Sequence, residues 1–283
     1  MKGNIYKFMA GKSFHLDALQ NNQIYFAKFA ELNDPYEGLL HFSYEGVTDS
    51  LRKTLLANGL AKKNNVDIRR GRQLAEKMIK KKGTQYMREL VKDWTDVFFE
   101  SYLNHHLEKR FVFSAAKQKE LDEFPAPLNN MMMWSHYADG MRGMCVEYDY
   151  HSLLEDIEEL NEGIELNARE VRYSPKELPL VRAKTMMESH MLDDGKAGRE
   201  MIEAFCTKSD SWAYENEIRF LSSKHKLVLH SEKSIRRVFV SKGNNVLVQK
   251  LVDILKAKDV KVPLYSVQTR PKQYGLGFLP VSY

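Results

Sequence analysis

The chain has 283 residues, 43% apolar and 11% aromatic, with a formal net charge of +5. That is enough apolar material for one large core or two small ones, and the mixed charge excludes a disordered chain. No apolar run approaches the roughly 18 residues a bilayer demands, and the N-terminus lacks the apolar core of a signal peptide. Cys145 and Cys206 offer neither a disulfide framework nor a zinc spacing, so a reduced, cytoplasmic protein without membrane contact is expected.

In chain order, Asn4–Phe8 alternates as a strand, His15–Gln20 reads as a short helix and Gln23–Phe26 as a second strand. Asp34-Pro35-Tyr36-Glu37 predicts a helix start, with Asp34 as N-cap, Pro35 at the first helical position and Glu37 closing a capping box. On the functional side, Asn33, Asp34 and Glu37 would rim a ligand cleft at the end of that second strand. From about residue 48 to 110 the period turns helical, with Met87, Val91, Trp94 and Phe98 at buried-stripe spacing. Arg110–Ser114 returns to strand, and Met131–Ala138 reads as a helix closed by Asp139-Gly140. Met144–Asp149 and Glu170–Tyr173 read as strands, and Met186–Cys206 as a helix around its Asp-Asp-Gly interruption. Tyr214–Ser222 follows as a strand, with Lys226–Leu229 returning as a hairpin. Ile235–Val240, Val246–Lys256 and Val260–Ser266 make strand, helix, strand. The expectation is a single α+β domain over 1–283, with a mixed or antiparallel sheet and a helical insertion at about 48–110.

The stretch 211–220, Ser-Trp-Ala-Tyr-Glu-Asn-Glu-Ile-Arg-Phe, is the most informative. Alternation puts Tyr214, Asn216, Ile218 and Phe220 on one face and Glu215, Glu217 and Arg219 on the other, with successive groups about 6.5–7 Å apart. Folding does not need two carboxylates and a guanidinium on one sheet face; a site in which one carboxylate grips a ligand hydroxyl and another takes a proton does. The bland alternative is an edge strand with a solvated outer face.

Residues 131–142 carry three polar-tipped rings. Trp134 and Tyr137 stand three apart and share a helix face, while His136 points elsewhere. Such rings can stack on a base or nicotinamide, or simply belong to the structure. Arg142, between Gly140 and Gly143, has the chemistry to meet a phosphate. No nucleophile elbow or phosphate loop occurs, His105 and His106 diverge, and His225 and His230 have no nearby carboxylate motif, so no metal is expected. A distant option is a magnesium nuclease using Asp34, Glu37, Glu215 and Glu217.

Residues 51–92 hold thirteen Lys/Arg against three acids, a local charge of +10. This block, with Arg69, Arg70, Arg72, Lys80, Lys81 and Lys82, is either a solvated helix face or a contact for nucleic acid or an acidic protein. Few aromatics interleave with it, so base stacking has little support. A non-enzymatic binding module built on this block is the alternative to an enzyme.

In the order and spacing of Ile5-Tyr6-Lys7-Phe8, Asn33 to Gly38, Phe111-Val112-Phe113-Ser114, Met133 to Ala138 with Gly143 and Glu147-Tyr148-Asp149, and Trp212 to Arg219, the chain resembles a bacterial family, the domain of unknown function numbered 2971. The basic helical segment is outside that resemblance. Members look like accessory genes of bacteria and phages near defence or toxin-like modules, which implies an antitoxin or defence-system partner. A second resemblance, to mono-ADP-ribosyltransferases, rests on Lys7, Ser114 and Glu215-x-Glu217 in that chain order. Lys7 stands where Arg or His is usual, and the Ser-Thr-Ser element is reduced to Ser114-Ala115-Ala116. It implies NAD as substrate, with Glu217 on the nicotinamide ribose and the oxocarbenium-like transition state, Glu215 on the acceptor, Lys7 on the phosphates and Ser114 behind the ribose. Tyr6, Asn33, Asp34, Trp134, His136, Tyr137, Arg142 and Arg219 complete the implied cofactor site.

Overall fold

The computed structural model describes residues 3–118, 124–222 and 226–283. Its longer helices are, in chain order, α1 (Ser13–Gln20), α2 (Asp49–Asn64), α3 (Ile68–Lys82), α4 (Thr84–Lys109), α5 (Met131–Tyr137), α6 (Tyr150–Leu160), α7 (Ala183–Leu192), α8 (Lys196–Phe205) and α9 (Asn245–Lys256). A nine-stranded sheet contains β1 (Asn4–Met9), β2 (Ala27–Lys28), β3 (Phe111–Lys117), β4 (Met144–Asp149), β5 (Leu166–Glu170), β6 (Glu217–Ser222), β7 (Ile235–Ser241), β8 (Leu264–Thr269) and β9 (Leu276–Val281). The chain is α+β, and its sheet is mixed: β7 and β8 run parallel, joined through α9, and the other pairs are antiparallel.

Two compact units divide the chain: residues 1–32, 109–175 and 208–283 form one, and 33–108 with 176–207 form the other. The first holds the whole sheet, in the order β9-β8-β7-β4-β1-β3-β6-β5, with β2 on the edge of β3. Alternation along the strands gives the sheet two apolar faces. On one, Ile5, Phe113, Val146, Ile218 and Val238 pack with Leu16 and Leu19 of α1, Leu153 and Ile157 of α6, and Leu247 and Leu251 of α9. On the other, Tyr6, Phe8, Ala116, Cys145 and Phe239 pack with Met133 and Trp134 of α5.

The second unit is built on the helical segment read from periodicity, which here shares a compact unit with α7 and α8. α2 and α3 cross closely because Gly71 has no side chain; a Cβ there would lie 2.4 Å from the Ala57 carbonyl oxygen. Leu56, Leu60, Ala75, Met87 and Val91 make its core. Asp34 does not start a helix. Its carboxylate accepts from the Tyr36 amide at 3.0 Å, and Gly38, at φ +75°, completes a tight turn. The capping-box pattern serves an Asx turn because the positive-φ glycine ends it before a helical turn can form.

Candidate functional site: paired carboxylates beside a gap in the sheet

β1 and β3 stop pairing almost as soon as they begin. Ile5 faces Lys117 and Tyr6 faces Ala116, and the ladder goes no further. The far end of β3 pairs instead with β2, Ala27 to Val112 and Lys28 to Phe111. Residues 113–115 are therefore unpaired on this edge, while on the opposite edge β6 pairs continuously from Ala116 to Phe111. Lys7 reaches into the gap, and its ammonium donates to the Ser114 carbonyl at 2.7 Å, replacing a lost ladder bond. The same ammonium lies 5.0 Å from the Phe113 ring centroid. A cavity of about 870 Å³ opens here, lined among others by Lys7, Phe8, His15, Phe113, Ser114 and Tyr137. Its lining comes from both faces of the sheet, Phe113 from one and Phe8 and Tyr137 from the other.

The charges cluster on the α5 face of the sheet. Glu217 stands beside Ala116, and Arg219 beside Ser114. The strand begins at Glu217, not at Tyr214: residues Asp210–Glu215 form a 3-10 turn, and Asn216 is left-handed at φ 45°. Asn216 donates from Nδ2 to the Lys117 carbonyl at 2.6 Å, which fixes the kink to β3. The one-face strand predicted for 214–222 is thus corrected, yet the two carboxylates still converge. They do so on a residue the sequence pattern missed. Lys208 Nζ lies 2.7 Å from Glu215 Oε2 and 3.2 Å from Glu217 Oε2. Arg219 Nε donates to Glu217 Oε1 at 2.8 Å, and the Tyr137 hydroxyl donates to Glu215 Oε1. Glu215, Glu217, Lys208 and Arg219 are all buried.

Burial alone would push the pKa of both carboxyls up toward neutrality. For Glu217, burial is outweighed by the charges of Arg219 and Lys208, with help from the neighbouring Ser114 hydroxyl, and the group is held at about 2. The Ser114 hydroxyl is itself buried and forms no well-directed hydrogen bond. For Glu215, burial prevails over Lys208 and Tyr137 and pushes the carboxyl up. Lys208 stays above its ordinary value, since both carboxylates outweigh its desolvation. Lys7 goes the other way: burial lowers its ammonium to about 8, offset only partly by Glu217 and Glu215. In the cavity wall, burial lowers His15 to about 4, with the charges of Lys7 and Lys12 adding to it. Two carboxyls pushed apart in acidity are the signature of a pair with different proton duties.

An aromatic wall completes the cluster. The Trp212 ring lies 4.9 Å from Lys208 Nζ, and His136 Nδ1 meets the Tyr214 hydroxyl at 2.8 Å. Tyr173 accepts from the Glu217 amide at 2.8 Å, fixing where the strand starts.

Among the residues singled out from sequence, Lys7, Ser114, Tyr137, Glu215, Glu217 and Arg219 come together, with His136 in the aromatic wall. Trp134, Tyr6 and Arg142 do not join them. Trp134 is fully buried and donates from Nε1 to the Leu128 carbonyl at 2.8 Å, so its ring serves the core and not a ligand. Tyr6 is equally buried and donates to Glu147 at 2.9 Å, within a second cluster that Asn4 and Arg237 complete. Arg142 points outward and binds the Asp139 carbonyl and carboxylate of its own turn. Asn33 and Asp34 belong to the helical unit. His225 lies outside the described residues. His230 is buried against Ser231 and Ser234. Among the described residues no three His, Cys, Asp or Glu side chains gather in a way that could hold a metal ion, and no helix is long and apolar enough to cross a membrane. Lys208, Trp212 and Tyr173 were not anticipated as site residues; Lys208 precedes Glu215 by seven residues, a spacing that no local periodicity marks.

Neither the curated proteins nor the solved structures contain a match to the chain. The family model described as "Protein of unknown function (DUF2971)" matches residues 133–220, which include most of α5, all of β4, the short strand that carries Lys208 and the Glu215–Glu217 pair. Over that segment the chain is similar to the DUF2971 family.

Proposed function

We propose that this chain is an NAD-consuming enzyme, an ADP-ribosyltransferase or NAD glycohydrolase acting as a bacterial toxin or phage-defence effector. One observation carries the reading: Glu215 and Glu217, buried together and driven apart in acidity, lie one strand away from a sheet gap whose large cavity is lined by Lys7, Ser114 and Tyr137, and Tyr137 hydrogen-bonds Glu215.

The chemistry asked of such a site is cleavage of the bond between the nicotinamide nitrogen and ribose C1′. The bonding pair leaves with the nitrogen, nicotinamide departs neutral, and positive charge develops on C1′. A preorganised anion in a dry site is the largest aid to that step. Glu217, ionised over the whole neutral range, is suited to accept from a ribose hydroxyl and face the developing cation. Glu215, its carboxyl made less acidic by burial, is the better base and takes the proton of the attacking water or acceptor hydroxyl as its oxygen bonds to C1′. The Lys7 ammonium suits the pyrophosphate, and the rings of Tyr137 and His136 suit a nicotinamide. Lys208 and Arg219 act through the carboxylates, keeping Glu217 charged.

The experiment is incubation of purified protein with NAD, with and without cell lysate, following nicotinamide release beside Glu217→Gln. Release that disappears in a variant that still folds cooperatively is the expected result. A folded protein that releases none in either condition ends the proposal, and label transferred to a macromolecule would name the acceptor class.

A further inference from the structure

The helical unit carries a charge arrangement that the carboxylate site does not use. Some cations of the basic segment are neutralised locally: Arg52 and Arg88 pair with Asp49, Lys53 with Glu76, and Lys92 with Asp96. The other nine, at 62, 63, 69, 70, 72, 77, 80, 81 and 82, are exposed, and among the described residues none of them forms an ion pair. A merely solvated helix face tends to mix its signs and pair them at i, i+4. This one leaves nine of its thirteen cations unmatched.

Helical geometry shows why they form a surface. α3 buries Gly71 and Ala75 against α2, so positions about half a turn away look outward. Arg70, Lys77 and Lys81, at i, i+7 and i+11, fall in one row along that outer side, and Arg69 and Lys80 in a neighbouring row. The rows run for about 16 Å, a length over which a nucleic-acid duplex displays roughly nine phosphate charges. Aromatic platforms are missing from these rows, so unstacked bases have nothing to lie on.

We infer that the outer face of α3 is a docking surface for duplex nucleic acid, held through backbone phosphates without reading sequence. It rests on the helical unit alone, and its failure would leave the NAD proposal untouched.

The test uses the full chain and a fluorescent 24-base-pair duplex of arbitrary sequence, with binding followed by anisotropy from 50 to 300 mM KCl. The expected slope of log affinity against log salt is roughly −4, for four or five phosphates neutralised. The triple variant Arg70→Glu, Lys77→Glu, Lys81→Glu should bind at least tenfold more weakly with an unchanged melting temperature, since all three side chains are exposed. Glu217→Gln should bind like the parent chain. Salt-insensitive or absent binding, or a triple variant that binds fully, would overturn the inference. Equal affinity for poly-glutamate would assign the face to acidic protein instead, and tighter binding of a single strand would remove the duplex; either result rejects the proposal as stated.

Discussion

Lys208 Nζ bridges Glu215 and Glu217, 2.7 Å from one carboxylate oxygen and 3.2 Å from the other. With Arg219 it balances two negative charges by two positive ones in a site that excludes water. A buried ion pair adds little net stability over apolar packing, but removing one partner strands the other without compensation. Lys208→Met should therefore destabilise the protein by about 3 kcal/mol at pH 7, read as a lower urea midpoint. Acidification should narrow the difference, because the stranded carboxylates can then neutralise themselves by binding protons. A variant as stable as the parent chain at pH 7 would show that the bridge does not hold the site together.

Lys7 gives the cavity a titrating wall. Its ammonium is lowered to about 8 by burial, so the positive charge is present below that pH and lost above it. Affinity for pyrophosphate, a probe carrying the NAD anion alone, should fall about tenfold between pH 7 and 9.5, the loss of one charge-assisted hydrogen bond. Lys7→Met should bind weakly with a flat profile. Stability runs in the opposite sense: the unfolded chain holds this proton more tightly than the folded one between about pH 8 and 10.5, so folding gains as pH rises through that window. Calorimetric titration and urea melts across this range check both signs.

Much of this layout was legible in the sequence. The period-2 runs of β1, β3, β4 and β7, the 3.6 period across α2–α4 and the closing strand–helix–strand each depend on contacts that repeat locally. What was not legible depends on register or on a single dihedral. Asn216 in the left-handed region leaves Glu215 and Glu217 two apart, as alternation had it, but moves Glu215 off the strand and into reach of Tyr137. The gap between β1 and β3 follows from pairing partners more than a hundred residues away. Lys208 enters from a short strand on an element whose sequence has no periodicity to betray it. Trp134 shows the reverse error: an aromatic at a plausible ligand position turned out to be a core residue because Leu128 offers its carbonyl.

Gly143 is a glycine for a steric reason and not a dihedral one. A Cβ there would fall 2.2 Å from the Met9 carbonyl oxygen and 3.0 Å from both Ala10 Cα and the Ala138 carbonyl carbon, all backbone atoms. Backbone cannot swing aside as a side chain can, so the turn after α5 and the end of β1 would have to separate. Gly143→Ala should cost about 2–3 kcal/mol, at the upper end for overpacking by one methyl. Gly243→Ala, where nothing lies within 4 Å of the added carbon, is the matched control and should stay within about 0.5 kcal/mol. Equal melting temperatures for the two variants would contradict the close approach.

His230 should set a slope in stability below neutral pH. Its ring is buried, with Nδ1 placed 2.9 Å from the Ser231 carbonyl and 3.1 Å from Ser234 Oγ, so Nδ1 carries the proton, while Nε2 has no partner. Burial lowers the imidazole from 6.5 to about 4; the Ser231 carbonyl and Asp156 pull it upward and Lys258 adds a small push down. The unfolded chain therefore binds the proton first as pH falls, and between about 6.5 and 4 protonation favours unfolding. The full shift is worth about 3 kcal/mol. Above pH 6.5 the neutral ring costs nothing further, so parent and variant should run parallel there. His230→Asn keeps a donor near the Nδ1 position and cannot titrate in this range. Urea midpoints from pH 7.5 to 4 should show the parent losing stability faster than the variant, with the gap closing or reversing at the acid end. A constant difference across the range would mean that the buried ring does not titrate as its surroundings require.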